Sequence, residues 1–122
     1  MIQTASNSDF WRAMERLVAG SALAIERPKG SRHPAHPEIL YPLDYGYLQG
    51  THASDGEEID FFLGSDPARA LTGAFVTVDL EKRDCEIKLL IGCTVEEVRI
   101  LDHFFNDYAS MKGLLILREE EG

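Results

Sequence analysis

Cysteine is scarce in this chain. Cys85 and Cys93 are the only two, both beside a predicted strand and without CxxC spacing. That rules out a disulfide framework and a thiolate metal site, and it makes both residues reduced thiols in or near the core. Positive charge is also short, with 12 Lys and Arg against 21 Asp and Glu and a net charge of −9. A general basic surface for nucleic acid is therefore excluded, whereas a small basic pocket for an anionic substrate is not. No apolar run approaches the ~20 residues that span a bilayer. Residues 1–8 are polar and lack a signal peptide's apolar stretch. The expectation is a cytoplasmic protein with no membrane partner. The P-loop, GxGxxG, GxSxG, HxH and HExxH patterns are all missing, which removes the common nucleotide, serine-hydrolase and zinc signatures.

What is present is carboxylate. Asp55-Gly56-Glu57-Glu58-Ile59-Asp60 places four acids in six residues and runs directly into Phe61-Phe62-Leu63. The first half reads as a turn and the second as a buried strand. Asp60 thus enters an apolar strand, where an unpaired charge is costly. Two unit charges ~4 Å apart repel by ~1 kcal/mol in water and ~4 kcal/mol at an effective dielectric of ~20. A divalent cation is the simplest compensation, and Mg²⁺ favours a few carboxylates with waters and phosphate oxygens. The competing reading is a solvated hairpin tip with Asp-Gly in a type I′ turn.

With 122 residues the chain reads as one domain over 1–122, able to bury a core without staples. Asn7 or Ser8 caps a first helix that carries Phe10, Trp11, Met14, Leu17 and Val18 at helical spacing and stops at Gly20. Strands are expected at 21–26, 39–41, 45–49, 59–63, 71–80, 85–91 and 114–117. Thr94 with Glu97 forms a capping box for a second helix with an apolar face of Val95, Val98, Leu101, Phe104, Phe105 and Tyr108. Short strands joined by short turns suit a mainly β, α+β fold: a small closed OB-like barrel (21–93), an N-terminal helical extension (1–20), and a helix plus final strand (94–122) packed across it.

Three further constellations carry chemistry. Glu26-Arg27-Pro28-Lys29-Gly30-Ser31-Arg32-His33 is a strand end and a basic loop. It is either plain surface or an anion clamp through Lys29 and Arg32. Tyr41 and Tyr45-Gly46-Tyr47 are packing residues or hydroxyl ligands. Residues 79–88 form a charged hairpin from which Glu81, Glu86 and Lys88 can reach a site. His33, His36, His52 and His103 fall in no ligand spacing and carry little weight.

In this order the segments resemble the soluble family I inorganic pyrophosphatases. Residues 26–31 look like that family's Glu-x-Pro-(Lys/Arg)-Gly-Ser, and 41–47 like its Tyr-Pro-x-x-Tyr-Gly-(Phe/Tyr) segment. Residues 55–60 look like its Asp-Gly-Asp-Pro-(apolar)-Asp signature, and 103–108 like its His-Phe-Phe-x-x-Tyr run. The resemblance covers about 22–117. It implies Mg²⁺-dependent hydrolysis of inorganic diphosphate in a homo-oligomer, without nucleic acid. It implies metal binding by Asp55 and Asp60, with Glu26, Glu81 and Glu86 around them. Glu57, Tyr45 and Asp60 would act in catalysis, and Lys29, Arg32, Tyr41, Lys88 and Tyr108 would bind substrate. Asp79 and Asp84 offer a rival register to Glu81 and Glu86. The chain departs from the pattern at Glu57, at Glu58, at Ala109 and in a shortened 34–39 segment without the family's arginine. These departures keep two alternatives open: a binding protein without turnover, and a hydrolase of another small diphosphate.

Overall fold

A strand that is apolar on both sides has to be covered on both sides, and β4 (Ile59–Leu63) sets the architecture in this way. Phe61 packs into one core and Phe62 into another. The computed structural model describes residues 2–107 and 111–119. In chain order its elements are β1 (Ile2–Ala5), α1 (Ser8–Ala19), β2 (Leu23–Arg27), β3 (Asp44–Leu48), β4, β5 (Leu71–Asp79), β6 (Asp84–Ile91), α2 (Val95–Asn106) and β7 (Met111–Arg118). All seven strands form one sheet in the order β1-β7-β5-β6-β4-β3-β2. The β1–β7 and β4–β6 pairs are parallel.

Each face of the sheet receives a helix. On one face Phe62, Phe75, Leu90 and Leu115 meet Val98, Leu101 and Phe105 of α2. On the other, Leu48, Phe61, Leu89 and Ile91 meet Trp11, with Met14 and Val18 of α1 beside it. Asn7 caps α1 by accepting from the Phe10 amide at 3.0 Å. Thr94 and Glu97 form the expected capping box on α2. Glu97 also accepts from the Ser65 amide at 3.1 Å, which ties the helix start to the turn after β4. Those amides hold the Glu97 carboxyl below its ordinary value, against the opposing effect of burial. Burial pushes the Cys93 thiol up to about 12, so it is an inert core group. Among the described residues, no helix is long and apolar enough to cross a membrane.

The fold is mainly β with flanking helices, as the sequence pattern implies, but three details differ. Segment 39–41 is not a strand: it contributes one bridge, Leu40 to Arg32, because Pro34 and Pro37 interrupt the ladder. The seventh strand is β1, a polar stretch that becomes a strand by pairing beside β7. β7 lies inside the same sheet, between β1 and β5. The sheet's edges are β1 and β2, and no ladder joins them among the described residues.

Gly46 fixes how closely β2 and β3 approach. A Cβ there would lie 1.9 Å from the Ala24 carbonyl oxygen, a backbone atom that cannot swing aside. Gly46→Ala is expected to lower stability by about 3 kcal/mol, the upper end for overpacking. Urea denaturation followed by circular dichroism measures it.

Candidate functional site

β4 and β6 pair over three positions, Phe61 with Leu89, Phe62 with Leu90 and Leu63 with Ile91. Ahead of these pairs the strands part, and Asp60, Lys88 and Glu86 stand at the fork. Strand alternation puts all three on the face that carries Phe62, and Tyr45 comes from β3 opposite Phe62. The four side chains meet. Tyr45 Oη donates to Asp60 Oδ2 at 2.5 Å. Lys88 Nζ donates to Tyr45 Oη at 2.9 Å, to Glu86 Oε2 at 2.8 Å and to Asp60 Oδ2 at 3.3 Å.

Lys88 is buried at 8% exposure. Burial alone would lower its pKa, but the Tyr45 phenol and the Glu86 and Asp60 carboxylates outweigh it and hold the ammonium above its ordinary value. Burial likewise pushes the Tyr45 phenol up, so it remains a protonated donor. The charge on Asp60 is therefore compensated by an ammonium of the chain itself.

The cluster borders two concavities. The first, a cleft of about 310 Å³, is walled by Arg27, the 33–39 loop, Tyr41, Tyr45, the β5–β6 hairpin and the end of α2. That volume lies in the range of small-molecule sites. The second holds Asp55, Glu58, Asp60 and Glu86 among apolar residues including Met14 and Leu89. Glu86 lines both. In the hairpin, Asp79 faces Asp84 across the strands. Burial first, then Glu86, raises the Asp84 carboxyl above its ordinary value. Asp79 Oδ1 accepts from the Glu81 and Lys82 amides at 3.0 and 3.1 Å, which closes the turn.

The structure thus gathers Tyr41, Tyr45, Asp60, Glu81, Glu86 and Lys88. Of the two hairpin registers, Glu86 and Lys88 contact Asp60's cluster directly, while Asp79 and Asp84 line the same cleft further out. Four expected residues stand outside both concavities: Glu26, Lys29, Arg32 and Glu57. A bulge between Ile25 and Arg27 shifts the register, so Arg27, not Glu26, sits opposite Tyr45. Arg32 Nη1 is spent on the Pro37 carbonyl at 2.8 Å, and Lys29 is exposed with its amide bonded to Asp44 Oδ1 at 2.8 Å. Glu57 is exposed, whereas Glu58 lines the second concavity and accepts from the Gly50 amide at 3.2 Å. Tyr108 and Ala109 lie outside the described residues.

The acidic turn is not type I′. Among the described residues only Arg69 and Arg83 have positive φ apart from glycines, so Asp55 does not. Instead the Gly56 amide bonds the Ala53 carbonyl at 3.0 Å and Gly56 takes φ 86°. Asp55 Oδ1 folds back to accept from the Glu57 amide at 2.9 Å.

Among the described residues no three His, Cys, Asp or Glu side chains converge as a metal cage. The donors still fit a hydrated divalent ion. Asp60 and Glu86 are drawn together by one ammonium through Oδ2 and Oε2, and the second oxygen of each has no hydrogen-bond partner among the described residues. Two carboxylates completed by waters and phosphate oxygens suit Mg²⁺.

Sequence reasoning set aside Arg27, His33, His36 and Lys82, all of which line the cleft. The available signal was alternation from Ile25 to Arg27 on a strand, which the bulge obscures. His33 Nδ1 accepts from the Ala35 and His36 amides at 3.0 and 3.2 Å and so lacks its proton. Burial, then Arg27, lowers its pKa.

Two outcomes follow. Lys88→Met leaves two carboxylates facing each other and is expected to cost about 3 kcal/mol, the low end for breaking a buried pair because both partners keep some water access. Chemical denaturation of both proteins measures it. His33 is expected to titrate below the ordinary ~6.5. Because the unfolded chain takes that proton first, His33's contribution to stability is full above ~6.5 and is lost as pH falls towards the folded value. NMR titration of the imidazole gives the midpoint, and His33→Asn should flatten the stability slope in that window.

Comparison with known proteins agrees with the fold. The structure is similar to that of an inorganic pyrophosphatase from Neisseria gonorrhoeae, with a TM-score of 0.56 and 20% identity over 74% of this chain and 77% of that one. No curated protein matches the sequence. The inorganic pyrophosphatase family model matches residues 3–112, nearly the whole sheet and both helices, and the chain belongs to that family.

Proposed function

We propose that this chain hydrolyses inorganic pyrophosphate to two phosphates with the help of a divalent cation, Mg²⁺ being the expected one, in a homo-oligomeric assembly. The observation that carries the reading is the Asp60–Tyr45–Lys88–Glu86 cluster at the cleft, in a chain of this family. In the reaction, the oxygen of water bonds to one phosphorus, and the bridging oxygen leaves with the other phosphate. The protein's work is positioning and neutralisation of charge, with no covalent step of its own.

Asp60 and Glu86 would hold the cation, with Asp55 on the same concavity. When bound, such an ion lowers the pKa of water and offsets phosphate charge. Tyr45 fixes the Asp60 carboxylate through its hydroxyl. Lys88 holds the Asp60 and Glu86 carboxylates side by side, and its cleft-facing position lets it share the charge of a leaving phosphate. Tyr41 walls the cleft beside Tyr45, their rings 5.4 Å apart. A second reading, binding without turnover, is favoured by the exposure of Glu57, which takes that carboxylate out of both concavities.

Phosphate release from pyrophosphate with and without Mg²⁺ tests the proposal. Cation-dependent release is expected, and Asp60→Asn should reduce it by roughly a hundredfold or more while leaving the fold intact. Pyrophosphate binding with no release above the cation-free control would instead establish the second reading.

A further inference from the structure

The cleft contains an arginine packed against two tyrosine rings. Arg27 is half-buried, and its guanidinium carbon lies 5.3 Å from the centre of the Tyr41 ring and 5.8 Å from that of Tyr45. Its Nη1 donates to Tyr41 Oη. Among the described residues no carboxylate comes within ion-pair distance of it. Lys88, by contrast, is paired twice, and Lys82, which also has no ion pair among the described residues, is exposed to water where Arg27 is half-buried. A guanidinium presents five N–H donors in a planar fork, and one of these is used here. Withdrawing such a group from water without a counter-ion is costly, and two ring faces offset that only in part.

Its neighbour adds a second donor. The His33 ring stacks on Tyr41, interplanar angle 12°, and lines the same cleft. Because Nδ1 accepts two backbone amides, the proton sits on Nε2, which has no hydrogen-bond partner among the described residues. Lys82 completes this wall from the hairpin tip.

We propose that Arg27, with His33 Nε2–H beside it, is the phosphate-binding group of this cleft, in place of the basic residues Lys29 and Arg32 that follow it in sequence. The planar guanidinium fork takes two oxygens of one phosphate group, and the tyrosine rings keep it aimed. This assignment rests on the reading of the cleft as a pyrophosphate site, and it is tested without turnover.

Inorganic phosphate is titrated into the full chain at constant ionic strength, with calorimetry for affinity and the His33 ring resonances for location. Arg27→Gln is expected to weaken phosphate binding at least tenfold and to abolish the phosphate-induced shift at His33. Arg27→Lys should weaken it several-fold, because the charge remains and the fork is lost. Lys29→Gln and Arg32→Gln should bind as the parent does. Unchanged affinity in both Arg27 variants overturns the proposal, as does a loss that follows Lys29 or Arg32, or a parent chain that binds no phosphate. If Arg27→Gln does not fold, Arg27→Lys decides by the same criteria. Arg27-dependent phosphate binding without pyrophosphate cleavage would overturn the hydrolytic reading and leave this one standing. Cleavage with an unaltered KM in Arg27→Lys would do the reverse.

Discussion

One ammonium reconciles the two halves of this molecule. Lys88 lies between the carboxylates of Asp60 and Glu86 and under the hydroxyl of Tyr45, on a sheet face otherwise given to Phe62, Phe75 and Leu90. At an effective dielectric of ~20, each of its two ion pairs contributes on the order of 5 kcal/mol of gross Coulomb attraction, and the two together exceed the repulsion of two carboxylates at similar range. Desolvation consumes much of that gain. What remains is arrangement: β3, β4 and β6 each deliver a polar group to one point, at the place where the β4–β6 ladder opens. A slip of one residue in any of these strands would turn its group to the opposite face.

The rest of the cleft is built around that point. α2 covers the apolar part of the face, and its Phe104 and Phe105 wall the cleft. The 33–39 loop, held by the His33 and Ile39 backbone bonds, closes the side nearest Tyr41. Acidic side chains come from β4, β6, the hairpin and Glu38 of the loop, and cationic ones from Arg27 on β2, Lys82 at the hairpin tip and Lys88 on β6. A site with both signs of charge suits a ligand that carries phosphate groups and travels with a cation.

Much of this was legible in order along the chain. The periodicity of α1 and α2, the Thr94–Glu97 box and the alternation of β5 and β6 are local signals, and local hydrogen bonding and burial decide them. Asp60 was legible as a residue needing compensation because it interrupts an apolar run. β1 was not legible: four polar-flanked residues become a strand only when β7 offers an edge. The basic loop misled for a related reason. Lys29 and Arg32 look like an anion clamp by composition, yet the bulge at 25–27 turns Arg27 inward and leaves both of them on the surface.

The sequence by itself determined the two helices, six of the seven strands, the two-sided burial of β4, the acidic character of the site and the resemblance that the family match established. These follow from spacing within one segment, which short-range physics reads directly. Only the tertiary structure decided that a lysine 28 residues away is the partner Asp60 holds within the chain. It also decided which arginine faces the cleft. Both depend on register between strands distant in sequence, where one residue of bulge or slip reverses the outcome.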